Sequence, residues 1–261
     1  MALIHPSAII DKQVELDSTV SVGPFSVLRG KLKIGAGTKV ESHVVIGSEH
    51  GSVTLGKNNH IFSGAVIGGP PQDLKFKGEH TSLEIGDNNT IREFVTLNVG
   101  TATGGGITRI GSNNLLMAYV HVAHDCQIGN NIVIANSSNF AGHVTVEDNV
   151  RIGGICSFNQ FIRIGKFSFI AGDSAVNKDI IPFSIAQGKY AVSRAANEIG
   201  LQRAGFAKDD IDKVYRAIRL LIKGDRTVEE SLKEMNEKCM PSENVQYLID
   251  FIKKSERGIA R

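Results

Sequence analysis

Beginning at Ile4, every sixth residue is aliphatic: Ile4, Ile10, Leu16, Val22, Leu28, Ile34, Val40 and Ile46. A second run starts at Ile110 and continues through Leu116, Val122, Ile128, Ile134, Phe140, Val146, Ile152, Phe158, Ile164, Ile170 and Val176. Against an apolar content of 41 %, twelve such matches in succession arise by chance about twice in a hundred thousand trials per starting point. A period of six matches neither the helical 3.6 nor the strand period of 2. It fits a chain that turns a corner every six residues, three faces to a coil of eighteen, as in parallel β-helices. Each apolar residue then points into a triangular interior. The Gly that often follows, as in Ile34-Gly35, Ile85-Gly86, Ile110-Gly111, Ile128-Gly129 and Ile164-Gly165, is expected to let the backbone bend. Stacked at strand spacing, the repeats give roughly nine coils and a rod about 40 Å long.

The lattice breaks in three places. Extra residues enter between Ile46 and Leu55. Between Ile67 and Ile85 the frame survives, but Asp73 and Glu79 occupy inward positions, so a loop near residues 69–83 is expected to leave the rod. A second loop is expected near 99–108, within Gly100-Thr-Ala-Thr-Gly-Gly-Gly106. Loops leaving a rigid scaffold are where chemistry is commonly placed. After about Pro182 the sixfold period stops. The reading is therefore a β-helix over 1–187 and an α-helical C-terminal domain over 188–261. Helical patterns run over Ser193–Ala204, Asp209–Lys223, Val228–Lys238 and Glu243–Ser255. Thr227-Val-Glu-Glu230 is a capping box for the third, and the domain is expected to close the end of the rod or to contact a neighbour.

Composition excludes several classes. With 29 basic and 27 acidic residues the net charge is +2, too balanced to single out nucleic acid or an anionic membrane as the main partner. Trp is absent and aromatics make up 6 %, which suits a narrow repetitive core. Cys126, Cys156 and Cys239 are odd in number and lack CxxC spacing, as expected in a reducing compartment. The N-terminus reads as no signal peptide, and no apolar run reaches the length of a membrane span. A cytoplasmic protein is expected.

A rod filled with aliphatics must carry its chemistry outside. The informative polar groups are Tyr119-Val-His121-Val-Ala-His124-Asp125-Cys126, Ala141-Gly142-His143 and Phe158-Asn159-Gln160-Phe161. His124, Gly142 and Gln160 each lie two past an inward residue and eighteen apart, so they form one column on neighbouring coils. Asp125 and His143 form the adjacent column. An imidazole beside a glycine amide suits acyl transfer: the ring can take a proton from an attacking hydroxyl, and the amide can hold a developing oxyanion. Asp125 can orient the ring, although neighbours in an extended segment point apart, so contact requires a bend. Idle surface histidines are the bland reading. Zinc held by His121, His124 and His143 across a subunit boundary is the sharper rival, as in the gamma-class carbonic anhydrases that share the scaffold.

Asn114-Leu-Leu-Met-Ala-Tyr-Val-His-Val-Ala-His-Asp-Cys126, with Phe140-Ala-Gly-His143, resembles the acyl-ACP–UDP-N-acetylglucosamine O-acyltransferases of lipid A synthesis. So do Gln72-Asp-Leu-Lys75, Thr101-Ala-Thr-Gly-Gly-Gly106 and the stretch Asn197–Phe206. The resemblance runs from His5-Pro6 to Arg257-Gly258. It implies a left-handed β-helix in a homotrimer with sites between subunits, and a 3-hydroxyacyl chain delivered by acyl carrier protein to a nucleotide sugar. No dissociable cofactor is implied, since the chain rides on the carrier's phosphopantetheine, and no metal. Carried over, His124 is the base, with Asp125 beside it and Gly142 as oxyanion donor. Asp73, Lys75, His121, His143 and Gln160 contact the sugar or the pantetheine arm. Asn197 and Arg203 hold the nucleotide, and Gly172 with Tyr190 sets acyl-chain length. This chain departs from the common pattern at Asn98, Asn159 and Tyr190, where many members have histidine. It departs again at Ile199, where a glutamate is expected and Glu198 stands one place early. An acceptor bearing a 3-amino group, or another nucleotide sugar, is the alternative.

Overall fold

A computed structural model describes residues 2–261. The six-residue period becomes a succession of mostly two-residue strands distributed over three sheets, parallel throughout the rod. On the first face Leu3 pairs with Ser21 and Ser21 with Lys39; on the second, His121 pairs with Asn139 and Asn139 with Ser157. On the third, Gln127 pairs with Thr145 and Thr145 with Arg163. Each of these steps is eighteen residues, so the expected circuit is the observed one. From Val22 onward the lattice aliphatics stack inside, with Leu28, Ile46, Ile61, Ile134 and Ile170 all 0 % exposed, whereas Ile4 on the open first rung is exposed and Ile10 and Leu16 are half-buried.

The corners are not made as expected. The glycines after the lattice residues do not supply the bend: Gly35, Gly86, Gly111, Gly129 and Gly165 are absent from the residues with positive φ. Gly35, Gly56, Gly86, Gly111 and Gly129 form a column in close contact instead, and Gly165 packs against Pro182. A Cβ on Gly35 would lie 2.7 Å from the Gly56 carbonyl carbon, and one on Gly86 2.8 Å from the Gly111 oxygen. Close approach of one coil to the next requires glycine there, not conformational freedom. The left-handed conformation falls mostly on other residue types, seventeen among the described residues, including Phe25, Asn131, Ile155 and Asp173. Each such residue other than asparagine or aspartate costs roughly 1–2 kcal/mol. Full burial of each lattice aliphatic stabilises by roughly 1.5–3 kcal/mol, and a corner is repeated only because it allows the next inward residue to be buried.

Three circuits exceed eighteen residues. Lys39 to His60 advances 21, His60 to Thr90 advances 30, and Thr90 to Leu115 advances 25. The unbroken frame from Ile67 to Ile85 is thus a coincidence of loop length. The strand Thr81–Ile85 pairs with Gly51–Leu55, and the segment before it is extruded. The second loop contains the short 3-10 turn Ala102–Gly104.

Beyond the rod come α1 (Glu198–Arg203), α2 (Lys208–Ile222), α3 (Val228–Lys238) and α4 (Glu243–Lys253). The Thr227–Glu230 capping box of α3 is present. The helix expected from Ser193 is corrected. Residues Ala191–Ala196 are a strand, antiparallel to Ser184–Gly188, which itself continues the first face of the rod. Pairing with that last rung overrides the weak helical pattern, and α1 begins only after Asn197, which caps it. The helices share a second core built on Phe183, Leu201, Val214, Ile218, Leu248 and Ile249. They close the end of the rod: Arg163 lies over the Phe251 ring at 4.0 Å, and Ser255 donates to Asp179 Oδ2 at 2.7 Å.

Candidate active site

The site is assembled at the corner between the second and third faces. The strand His121–Val122 belongs to the second sheet and Gln127–Ile128 to the third, so His124 and Asp125 turn the corner between them. Asp125 has φ 61°, and this bend allows two neighbours to touch where an extended chain would splay them. His124 Nδ1 lies 2.8 Å from Asp125 Oδ2. One coil on, His143 repeats the conformation at φ 64°, and its N–H donates to the His124 carbonyl at 3.0 Å.

Gly142 stands directly beside His124. A Cβ on Gly142 would come within 2.8 Å of His124 Nε2, so any larger residue would displace the imidazole. Among the described residues the Gly142 N–H donates to no protein acceptor. A ring nitrogen and a free amide therefore share one small space.

The Asp125 side chain is 0 % exposed. Burial by itself pushes its carboxyl upward, but hydrogen bonds from His124 and Thr101 outweigh that and hold it below the ordinary carboxylate value. The ionised carboxylate can only accept, so His124 Nδ1 carries the hydrogen, and the tautomer this selects in the neutral ring has its lone pair on Nε2. Burial lowers His143, although Asp125 opposes the shift, and burial lowers His121 with help from His124. His121 Nδ1 is 2.7 Å from the Thr96 hydroxyl, and His143 stacks on Phe161 at 4.3 Å between centroids.

The three histidines, Gly142 and Phe161 line a cleft of about 1150 Å³, bounded also by Gln72–Lys75 of the first loop and by Thr103 and Gly104 of the second. His121, His124, Gly142, His143, Gln160, Asp73 and Lys75 all open onto it. Both loops expected to leave the rod thus converge over the histidine column. Leu74, at the overhanging tip, is fully exposed.

The remaining candidates lie elsewhere on the same chain. Asn197 and Arg203 line a separate cavity of about 270 Å³ with Asn149 and Phe167, at the corner between the third and first faces. Asn197 is engaged structurally as well: its oxygen accepts the Gly200 N–H at 3.2 Å and its amide donates to the Phe167 carbonyl at 2.9 Å. Gly172 follows the first-face strand Phe169–Ile170 and faces Gly154, whose oxygen a Cβ would meet at 3.3 Å. Tyr190 is 67 % exposed in the hairpin beyond it. One chain thus displays three candidate sets at three corners. Asn98 is buried and donates to the Gly69 carbonyl at 3.4 Å, at the root of the first loop.

For zinc, one ligand atom each from His124, Asp125 and His143 lie within 4.8 Å of one another, with Asp125 in place of the expected His121. Both Asp125 oxygens are already committed, Oδ1 to the Thr101 N–H and Oδ2 to the Thr101 hydroxyl and His124. A metal there would displace these bonds, so the residues suit a hydrogen-bonded pair better than a metal centre. Periodicity points to none of Thr96, Thr101 and Gly104, which act across circuits of irregular length, and the one signal near Thr101 is the glycine-rich run it opens. Thr108 is different: its strand Ile107–Ile110 pairs with Gln127–Ile128 at the regular step of eighteen, so the period itself could have placed it beside Asp125.

A coiled rod of hexapeptide repeats with an imidazole and a bare amide on adjacent rungs defines a hexapeptide-repeat acyltransferase. Residues 107–142 match the family described as bacterial transferase hexapeptide (six repeats), and residues 179–260 match that described as UDP N-acetylglucosamine O-acyltransferase, domain 2. The chain is 46 % identical over 265 residues to the acyl-ACP–UDP-N-acetylglucosamine O-acyltransferase of Janthinobacterium sp. (strain Marseille), covering 100 % of both chains. It is equally close, at 46 % over 265 residues and 100 % of both, to the enzyme of that name from Herminiimonas arsenicoxydans. Among solved structures, LpxA of Acinetobacter baumannii superposes with a TM-score of 0.95 at 41 % identity, over 99 % of this chain and 100 % of that one. The UDP-N-acetylglucosamine acyltransferase of Bacteroides fragilis gives 0.96 at 39 %, over 99 % and 100 %. The chain belongs to the acyl-ACP–UDP-N-acetylglucosamine O-acyltransferase family, and its rod is a left-handed parallel β-helix.

Proposed function

We propose that the chain moves a 3-hydroxyacyl group from acyl carrier protein to the 3-hydroxyl of UDP-N-acetylglucosamine, the first step of lipid A synthesis, with His124 as general base. The observation that carries the mechanism is the His124–Gly142 juxtaposition. The sugar hydroxyl gives its proton to His124 Nε2 while its oxygen attacks the thioester carbonyl carbon. The developing oxyanion faces the Gly142 N–H. Collapse breaks the carbon–sulfur bond, the ester is formed, and the proton on His124 passes to the departing pantetheine thiolate. Asp125 holds the Nδ1–H tautomer and favours the imidazolium.

Asp73, Lys75, His121, His143 and Gln160 contact the sugar and the pantetheine arm from the walls of the cleft. Asn197 and Arg203 hold the nucleotide, and Gly172 with Tyr190 limits the acyl chain. These last two sets stand at other corners than His124, which supports a homotrimer in which a substrate lies between neighbouring copies. No dissociable cofactor or metal takes part; the acyl group arrives on the phosphopantetheine of the carrier. Three free, buried cysteines support a reducing cytoplasm, and among the described residues no helix is long and apolar enough to cross a membrane.

The test is turnover of 3-hydroxyacyl carrier protein with UDP-N-acetylglucosamine and, separately, with its 3-amino counterpart. His124→Ala is expected to lose roughly 100- to 10,000-fold in kcat with an unchanged melting temperature. Near-normal turnover by that variant removes the mechanism, and preference for the amine replaces the ester product with an amide.

A further inference from the structure

The proposed base and its carboxylate are held by a loop from earlier in the chain. The Thr101 N–H donates to Asp125 Oδ1 at 2.9 Å across 24 residues of sequence. The Thr101 hydroxyl reaches Asp125 Oδ2 at 2.6 Å, on the same oxygen that accepts from His124. The direction of that hydroxyl follows from its partner, because an ionised carboxylate can only accept. As N-cap of the turn Ala102–Gly104, Thr101 Oγ1 in turn accepts the Gly104 N–H at 3.1 Å, which leaves its hydrogen for the carboxylate. Gly104 lies so close to Asp125 that a Cβ on it would overlap the carboxyl group. The Asp125 N–H is tied down in turn, donating at 2.8 Å to the fully buried Thr108 hydroxyl.

We infer that Thr101 is a positioning residue for acyl transfer: its N–H and hydroxyl hold the Asp125 carboxylate where it accepts the His124 Nδ1–H, which leaves Nε2 free toward the cleft. This rests on the reading of His124 as base. Without the hydroxyl, Oδ2 retains only His124, and a buried carboxylate with an unfilled acceptor site is costly. It can rotate toward His143, whose Nε2 already stands 3.8 Å away, and the His124 tautomer is then no longer enforced. A hydroxyl that merely stapled the loop would change folding, not the tautomer of a ring in another coil.

The experiment compares Thr101→Val and Thr101→Ser in the full-length enzyme, by steady-state kinetics and by nitrogen NMR of His124. Thr101→Val keeps the shape and the backbone donor and loses only the hydroxyl. It is expected to lower kcat about tenfold or more at unchanged KM, since hydrogen bonds to charged groups are the stronger ones. Thr101→Ser is expected to restore kcat, and the Nδ1–H tautomer is expected to give way to a mixture in the valine variant alone. If Thr101→Val does not fold, Gly104→Ala, which intrudes on the carboxylate from the same loop, is expected to show the same kcat loss and mixed tautomer. A valine variant with kcat within twofold of the parent overturns the inference, as does a loss that serine fails to restore or a tautomer left unchanged. Active His124→Ala enzyme would remove the base reading instead, while the nitrogen spectra would still report whether Thr101 orders the ring.

Discussion

Two corners of the rod share a backbone and differ in what their side chains do. Between the third and first faces, successive coils carry Asn58-Asn59, Asn88-Asn89 and Asn113-Asn114. The first of each pair is left-handed, at φ 54°, 57° and 60°, a conformation asparagine tolerates well. The second is buried and ties one coil to the next: the Asn89 amide donates to Asn59 Oδ1 at 3.0 Å, and Asn89 Oδ1 accepts the Asn114 N–H at 3.0 Å. Between the second and third faces the same left-handed positions hold Asp125, His143 and Phe161, at φ 61°, 64° and 64°. Coil stacking, not residue type, sets the corner conformation. At the asparagine corner the residue after the left-handed one reinforces the stack, and at the other corner the left-handed Asp125 and His143 themselves converge on His124.

The comparison breaks first, and most visibly, at Gly142. Gly142→Ala is expected to cost 100-fold or more in kcat/KM, because its Cβ takes the space of His124 Nε2 and disturbs the oxyanion donor. Steady-state kinetics with the melting temperature as control checks this. The opposite outcome is expected at Asn114, whose amide donates to the Gly129 carbonyl at 2.9 Å and whose oxygen accepts the Ile132 N–H at 2.8 Å. Asn114→Ala strands two backbone groups, so denaturant titration should show a loss of roughly 2–3 kcal/mol while kcat is retained. The smallest effect is in pH. His121 and His143 both sit below the ordinary 6.5 in the folded chain, chiefly through burial. The unfolded chain therefore takes up protons first. Stability from this source is present above 6.5 and declines as pH falls through the lowered folded values. A denaturation midpoint that drops below pH 6.5, with a weaker slope in His121→Gln, sharpens the contrast; an unchanged slope contradicts it.

The period of six was enough to place inward residues, to find both loops and to bring His124 beside Gly142, because a constant step of eighteen turns chain position directly into neighbourhood. The capping box of α3 was legible for a similar reason, since its partners are three residues apart. The glycine columns were visible as a pattern but not in their cause: steric closeness between coils is a property of the stack, absent from any single hexapeptide. The strand at Ala191–Ala196 depended on an edge supplied by the last rung of the rod.

Repetition in the chain determined the coil and its rungs, since burial of evenly spaced aliphatics admits few other solutions. Only the folded structure decided how Asp125 bends toward His124 and which loop residues grip its carboxylate. It alone also distributes the nucleotide and acyl-chain candidates over different corners. Those outcomes depend on contacts across irregular insertions, where chain separation carries no information about distance.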